Sequence, residues 1–329
     1  MMFSLLLLDR GKKGFTLGKI QIYLILISVM TAWGFNVVAT KVLVENFMPV
    51  TMTAARIFVA GIVVFIILFV MKKVRKLTKK EWVVVLVGSL FNVVGHHYFL
   101  AVGLTETSAS NGGLILGIGP LLTAIMAIVF LGNRLTWIRV LGFLLGIIGV
   151  SFIVLQGGEG LSGISFGDLY VFLSVFMQAL SFIMINKVSH SLDPRLMTGY
   201  MLVMGSIILF GISLILEPSG IHSMFQPKST KIWVVFFASA IVATAFGQML
   251  YNYSIGKVGA AEASIFINLN PFFALVGAVL FLGEKIGLTH IVGFIFILFG
   301  VLFGSGAMEE IIRKKNEKKS LKVTQGSIP

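Results

Sequence analysis

One segment of this chain is written twice. The stretch from Ala109 to Val150 recurs, without a gap, from Ala260 to Val301. At a constant offset of 151 residues, Ala109 meets Ala260, Pro120 meets Pro271, and Phe130-Leu131-Gly132 meets Phe281-Leu282-Gly283. Further along, Gly142-Phe143 falls on Gly293-Phe294 and Gly149-Val150 on Gly300-Val301. Each copy reads as an apolar helix with a central proline, a very short polar turn and a second apolar helix rich in glycine. A chain built this way folds as two like halves, so its architecture depends on the solvent in which those halves are stable.

That solvent is lipid. With 57% apolar and 12% charged residues, and a mean hydropathy of +1.00, the chain cannot hide its apolar surface in one soluble core. A helix needs about 20 mostly apolar residues to cross a hydrocarbon layer of about 30 Å. Ten segments qualify: approximately 20–43, 51–71, 82–103, 108–130, 136–156, 166–187, 195–216, 232–256, 261–282 and 288–306. The net charge of +13 would point to nucleic acid in a soluble domain. Here the bases lie in short loops between apolar runs, so the expected partner is the bilayer and no nucleic acid. The chain has no cysteine, which excludes disulfides, thiolate metal sites and cysteine nucleophiles. No metal site and no cofactor is expected.

Orientation follows from where lysine and arginine fall. With the amino terminus in the cytoplasm, all but five of the 26 basic residues lie on the inner side. The five are Lys41, Arg56, Lys228, Lys231 and Lys285. Both termini are then cytoplasmic, as a basic segment at 1–19 and a basic, lipid-facing tail at 307–329. The duplication also reaches further back. At an offset of 145, Pro49, Met52 and Thr53 meet Pro194, Met197 and Thr198, and Trp33 meets Gln178. Each half, 20–156 and 166–306, thus holds five helices, joined by a Gly/Ser-rich outer linker at 157–165. Five is odd, so the second half crosses the membrane in the opposite sense. The expected fold is an all-α integral membrane protein of ten transmembrane helices, arranged as two inverted-topology five-helix repeats.

From about residue 20 to 306 the chain resembles the drug/metabolite transporter superfamily, EamA type. The residues that carry the likeness are Trp33-Gly34, Pro49 with Arg56, Thr107-Ser108-Ala109-Ser110, and the prolines Pro120 and Pro271. Leu131-Gly132-Asn133-Arg134, Leu282-Gly283-Glu284-Lys285 and the glycines 142, 149, 293 and 300 complete it. The resemblance implies a ten-helix carrier in the plasma membrane of a prokaryote, commonly an exporter of amino acids or other small metabolites. One position departs from the pattern: Asn133 stands where such proteins usually carry glutamate, whereas Glu284 keeps it.

Pro120 and Pro271 fall near mid-helix and cannot donate to the carbonyls of Leu116 and Ile267, so each predicts a kink with an unpaired acceptor. They are candidate hinges and cavity walls, or simply shape the packing. Asn270, just before Pro271, needs a hydrogen-bond partner at that depth. His97 falls on Gln248 at the 151 offset. Gln248, Tyr251 and Asn252 are spaced to share one helical face, with Thr244 a turn earlier. Trp33 and Asn36 form a smaller pair, and Gln178 is the symmetry partner of Trp33. Trp33, Asn36, His97, Gln178, Gln248, Tyr251, Asn252 and Asn270 are therefore the expected lining of one central site for an amphipathic or zwitterionic solute. His96 and His97 point about 100° apart and cannot chelate one ion together. They are candidates for proton coupling, or for structural hydrogen bonding. Arg56 is expected to snorkel to the outer headgroups, or to pair with Glu45 or Glu106. Small-residue pairs such as Gly142 with Gly146 and Gly300 with Gly304 serve close packing or a homodimer face.

The inverted repeat favours a secondary carrier of a small-molecule solute, with an amino acid or similar metabolite ahead of a drug or nucleoside. A channel would need a continuous polar pore, and most of these helices are polar at only a few positions. An intramembrane enzyme would need a nucleophile with its base, or a metal set, and no such constellation is present. No phosphate-binding glycine loop supports a primary pump.

Overall fold

The computed structural model describes residues 18–106, 115–133, 135–157, 165–282, 287–305 and 308–309. The amino-terminal basic segment before Gly18, the linker residues 158–164 and most of the basic tail lie outside the described residues. So do Thr107-Ser108-Ala109-Ser110, Gly113, Arg134 and Gly283-Glu284-Lys285.

Each of the ten apolar segments is a helix. They are α1 (Lys19–Val44), α2 (Pro49–Val70), α3 (79–106), α4 (Ile115–Leu131) and α5 (Trp137–Gly157), then α6 (Phe166–Val188), α7 (Pro194–Leu216), α8 (Thr230–Val258), α9 (260–282) and α10 (Leu288–Gly304). Among the described residues seven are long and apolar enough to cross a membrane, and the three shorter apolar helices are α4, α5 and α10. A short helix, Gly220–Phe225, lies between α7 and α8, outside the ten apolar segments. Large apolar side chains such as Ile66, Phe69, Phe130, Ile215 and Leu280 face outward, while Asn92, Ser174, Asn252 and Ser254 are buried. This distribution suits a molecule solvated by lipid.

The helix ends are set by local chemistry. Pro49 and Pro194 each open a helix at a position where a missing N–H costs nothing. Thr78 with Glu81, and Ser165 with Asp168, form reciprocal capping boxes at the starts of α3 and α6. Glu217, at the end of α7, accepts from the backbone N–H groups of Val50 (2.9 Å) and Thr51 (2.8 Å), placing an anion at the positive end of α2. The end of α4 needs Gly132, whose φ of 68° is left-handed; its N–H reaches Ile128 and that of Asn133 reaches Ala127.

The two halves meet through equivalent helices, and these run antiparallel. Gly149 lies against Gly293, and Gly142 against Gly300, so the start of α5 faces the end of α10 and the reverse. A Cβ on Gly142 would stand 2.8 Å from the Gly300 carbonyl oxygen, and one on Gly149 2.6 Å from that of Gly293. At the 151 offset these two contacts are one contact and its symmetry copy. In the same way Thr51 at the start of α2 meets Glu217 at the end of α7, while Gly199 near the start of α7 packs on Leu68 near the end of α2. The glycines considered for self-association are thus used within one chain, with Gly142 and Gly146 against Gly300 and Gly304. Gly117 packs on Val150.

Candidate functional site

Backbone irregularity marks the centre of the molecule, and it is duplicated. α3 contains a π-helical stretch, Leu90–Gly95, and α8 contains another, Ser239–Phe246. The 151 offset maps the first onto 241–246, inside the second. A π turn widens the helix and frees backbone groups from the ordinary ladder, and such turns concentrate at functional sites. Here each turn is followed by a pair that the 151 offset relates, His96-His97 in one half and Gly247-Gln248 in the other, of which His97 and Gln248 are the expected site residues.

Around the π turn of α8 gather α1 and α2. Trp33 Nε1 donates to the Ala243 carbonyl at 2.8 Å, and its ring packs over Gly247 and against Tyr251, with centroids 5.0 Å apart. The Ser239 hydroxyl donates to Asn36 Oδ1. Arg56 reaches inward from α2, and its Nη1 donates to Ser239 Oγ at 3.0 Å and Thr244 Oγ1 at 3.4 Å. This corrects the expectation that Arg56 snorkels. Its side chain is 5% exposed and is turned toward α8, because the widened turn offers it two hydroxyls. Neither Glu45 nor Glu106 is its partner; both are exposed.

Around the π turn of α3 gathers α6. The Ser174 hydroxyl lies 2.8 Å from His96 Nδ1 and also donates to the His96 carbonyl, while Gln178 Nε2 stands 3.1 Å from His96 Nε2. Asn92 donates to Ser181 at 2.9 Å. Symmetry relates the Gln178–His96 contact to the Trp33–Gly247 contact, so the two halves solve one packing problem with different side chains. His96, rather than His97, holds Gln178. His97 lies beside it, with ring centroids 4.8 Å apart, and within electrostatic reach of Arg56.

Not every expected site residue joins this cluster. Tyr251 does: it is wholly buried between Trp33 and Phe182, and its hydroxyl has no partner among the described residues. Gln248 is buried with its Oε1 likewise unpartnered. Asn252 is turned toward α7, where its amide donates to Thr198 at 2.8 Å, so the face drawn through Gln248, Tyr251 and Asn252 divides between neighbours. Among the described residues Asn270 Oδ1 has no partner, and neither amide atom of Asn268, which is not among the expected site residues, has one; Asn268 packs on Gly146.

The prolines behave differently from a simple kink. Pro120 opens the segment Gly119–Leu131, and Pro271 is the second residue of Asn270–Leu282, each restarting a helix after a break. The carbonyl of Ile267, expected to be orphaned, accepts the N–H of Asn270, because Ile265–Leu269 tightens into a 3₁₀ turn. Tightening by one residue supplies the donor that proline lacks.

A second polar cluster, unforeseen from the sequence, ties helix ends on the face where α1 begins. Glu262, 6% exposed, accepts from Tyr23 Oη at 2.8 Å and lies 3.1 Å from Lys19 Nζ and 3.8 Å from Arg139 Nη2. Arg139 Nε also meets Glu309 at 3.1 Å, and Thr136 hydrogen-bonds the same carboxylate. Starts of α1, α5 and α9 are thereby joined to the residues after α10.

Comparison with known proteins agrees with this architecture. Residues 20–155 and 165–305 each match the model of the EamA-like transporter family. The chain is 30% identical over 307 residues to the uncharacterized transporter YyaM of Bacillus subtilis, covering 91% of this chain and 97% of that one. It is 28% identical to the chloroplastic WAT1-related protein At3g02690 of Arabidopsis thaliana, over 82% of this chain and 66% of the relative. A protein of known crystal structure shares the fold with a TM-score of 0.74 at 17% identity, over 89% of this chain and 99% of that one.

Proposed function

The chain belongs to the EamA-like transporter family, and from that membership we propose a secondary carrier that exports a small amphipathic or zwitterionic solute, an amino acid or similar metabolite, by alternating access. The observation that carries the reading is the pair of antiparallel halves, each with a π turn ringed by buried polar side chains. A site placed on such an axis can be exposed to either side when the halves exchange conformations. In this reading Trp33, Asn36, His97, Gln178, Gln248, Tyr251 and Asn270 face the solute. Asn252 braces α8 against α7 from behind, and Pro120 and Pro271 are the hinges.

The same proposal places the protein in a prokaryotic plasma membrane with both termini in the cytoplasm. The halves are 20–156 and 166–306, and the outer linker is 157–165. The Glu262 cluster then lies on the cytoplasmic face and Glu217 on the outer one, and each must release its partners for its face to open. Proton coupling falls to His97 with His96. A His97→Gln variant is expected to lose the pH dependence of uptake, and retention of the full dependence would remove protons from the scheme.

A stabilisation screen of the purified protein against amino acids, nucleosides and cationic drugs, followed by counterflow in proteoliposomes with the hits, tests the carrier. Labelled solute accumulating against unlabelled solute inside is the expected result, since an alternating site exchanges one for the other. A flat counterflow trace with large conductance would make the protein a channel.

A further inference from the structure

Arg56 carries a permanent positive charge within a membrane helix and meets no carboxylate among the described residues. It lies about 10 Å along α2 from Pro49, at 1.5 Å per residue. Its hydrogen bonds go to two neutral hydroxyls, Ser239 and Thr244, and among the described residues its Nε has no partner. Those hydroxyls are already committed, Ser239 donating to Asn36 and Thr244 to the Ser239 carbonyl. Its titratable neighbour His97 is an imidazole, which can add positive charge but never cancel it. Among the described residues, the carboxylates of Glu262, Asp193 and Glu217 are engaged elsewhere, with Lys19 and Arg139, with Arg195 and with the start of α2 respectively.

A buried guanidinium without a counter-charge is strongly unfavourable. The cost is tolerable where the counter-charge arrives with a ligand. We propose that Arg56 is the anion-recognition residue of the central site, and that the transported solute presents an acidic group, a carboxylate or a similar oxyanion, to the Nε edge of its guanidinium. Thr244 and Ser239, the latter held by Asn36, anchor Nη1 of that guanidinium, so the acid meets it in a defined orientation. The inference rests on the carrier reading of the same site and narrows its substrate to acids and zwitterions. Amines and neutral solutes of equal size are excluded.

The test uses the full chain in detergent and matched pairs of probes: L-leucine with L-leucinamide, L-phenylalanine with L-phenylalaninamide, and lactate, pyruvate and malate with their amides. Thermal unfolding is followed for the wild type, Arg56→Lys and Arg56→Gln. At least one acid is expected to raise Tm by several degrees where its amide does not. Arg56→Gln should weaken that acid about 30-fold or more, and Arg56→Lys less. If no acid separates from its amide, or if Arg56→Gln keeps the separation, the proposal is overturned. Wild-type discrimination and the lysine variant decide the matter even if the glutamine variant does not fold. A parallel arm adds phosphatidylglycerol: stabilisation by this lipid alone, lost in Arg56→Gln, would assign the charge to a headgroup and also overturn the solute reading. Acid stabilisation without counterflow would sink the carrier and leave the anion site. Counterflow of a neutral solute unaffected by Arg56→Gln would do the reverse.

Discussion

Asp193, in the turn before α7, shows how one side chain can fix a helix start and a buried base together. Its Oδ1 accepts the N–H of Arg195 at 2.9 Å, and its two oxygens take Nε and Nη2 of the same residue at 3.0 and 2.8 Å. Lys73, just past the end of α2, adds a contact at 3.8 Å. Burial acts to raise the carboxyl's pKa, but the hydrogen bonds and charge of Arg195, with the charge of Lys73, together hold it below its ordinary value of 3.8. A depressed value means that the ionised carboxylate stabilises the fold above pH 3.8, and that this contribution is lost as pH falls through the lower, folded-state value. Asp193→Asn is therefore expected to cost about 2 kcal/mol at pH 7 in detergent unfolding, and the difference from wild type should disappear in acid. Thr198→Val, which strips Asn252 of its acceptor, should cost about 1 kcal/mol. Arg56 is the residue that sequence reasoning placed wrongly. Snorkelling is the average behaviour of a basic side chain near a helix end. What turned this one inward is a pair of hydroxyls displayed by a π turn in another helix, and nothing in the stretch around Arg56 announces them.

At the scale of the helix, the ten segments were legible because lipid permits so little else: a run of apolar residues of sufficient length becomes a helix. α2 and α7 begin at Pro49 and Pro194, one or two residues before the bounds of 51 and 195 read from the apolar runs, because proline fits a first turn whose N–H needs no partner. The π turns were hidden. Leu90–Gly95 and Ser239–Phe246 have ordinary apolar composition, and the extra residue per turn shows only in the hydrogen-bond ladder. Deleting Ile241 should return α8 to an unbroken α-helical ladder, closing the widened turn that presents Ser239 and Thr244 to Arg56 while leaving Gln248 and Tyr251 on their own face. Counterflow is expected to fall more than about tenfold while the protein still folds; normal transport would show that the turn is incidental. Glycine contacts make a sharper packing test. Gly142→Ala would press a methyl onto the backbone of α10, where nothing flexible can yield, and should destabilise by about 1–3 kcal/mol. Gly211→Ala meets nothing within 4 Å and should be neutral or slightly stabilising in the same unfolding measurement.

For the whole molecule, the duplication at offsets of 151 and 145 made the two-fold relation readable before any coordinates, and the antiparallel contacts of α5 with α10 and of α2 with α7 give it physical form. The lattice around Glu262 escaped notice because its members are far apart in the chain: Lys19, Tyr23, Arg139 and Glu309 converge only when α1, α5, α9 and α10 come together. Its position opposite Glu217 leaves each face of the molecule with its own polar clasp. All of this depends on the two halves lying upside down to one another. Because the chain has no cysteine, single cysteines can be placed at Lys76, after α2, and at Ser223, after the equivalent helix α7. Labelled on intact cells with a membrane-impermeant maleimide, the cysteine at 223 should react at once and the cysteine at 76 only after the membrane is opened; equal reaction at both positions from one side would contradict the inverted arrangement.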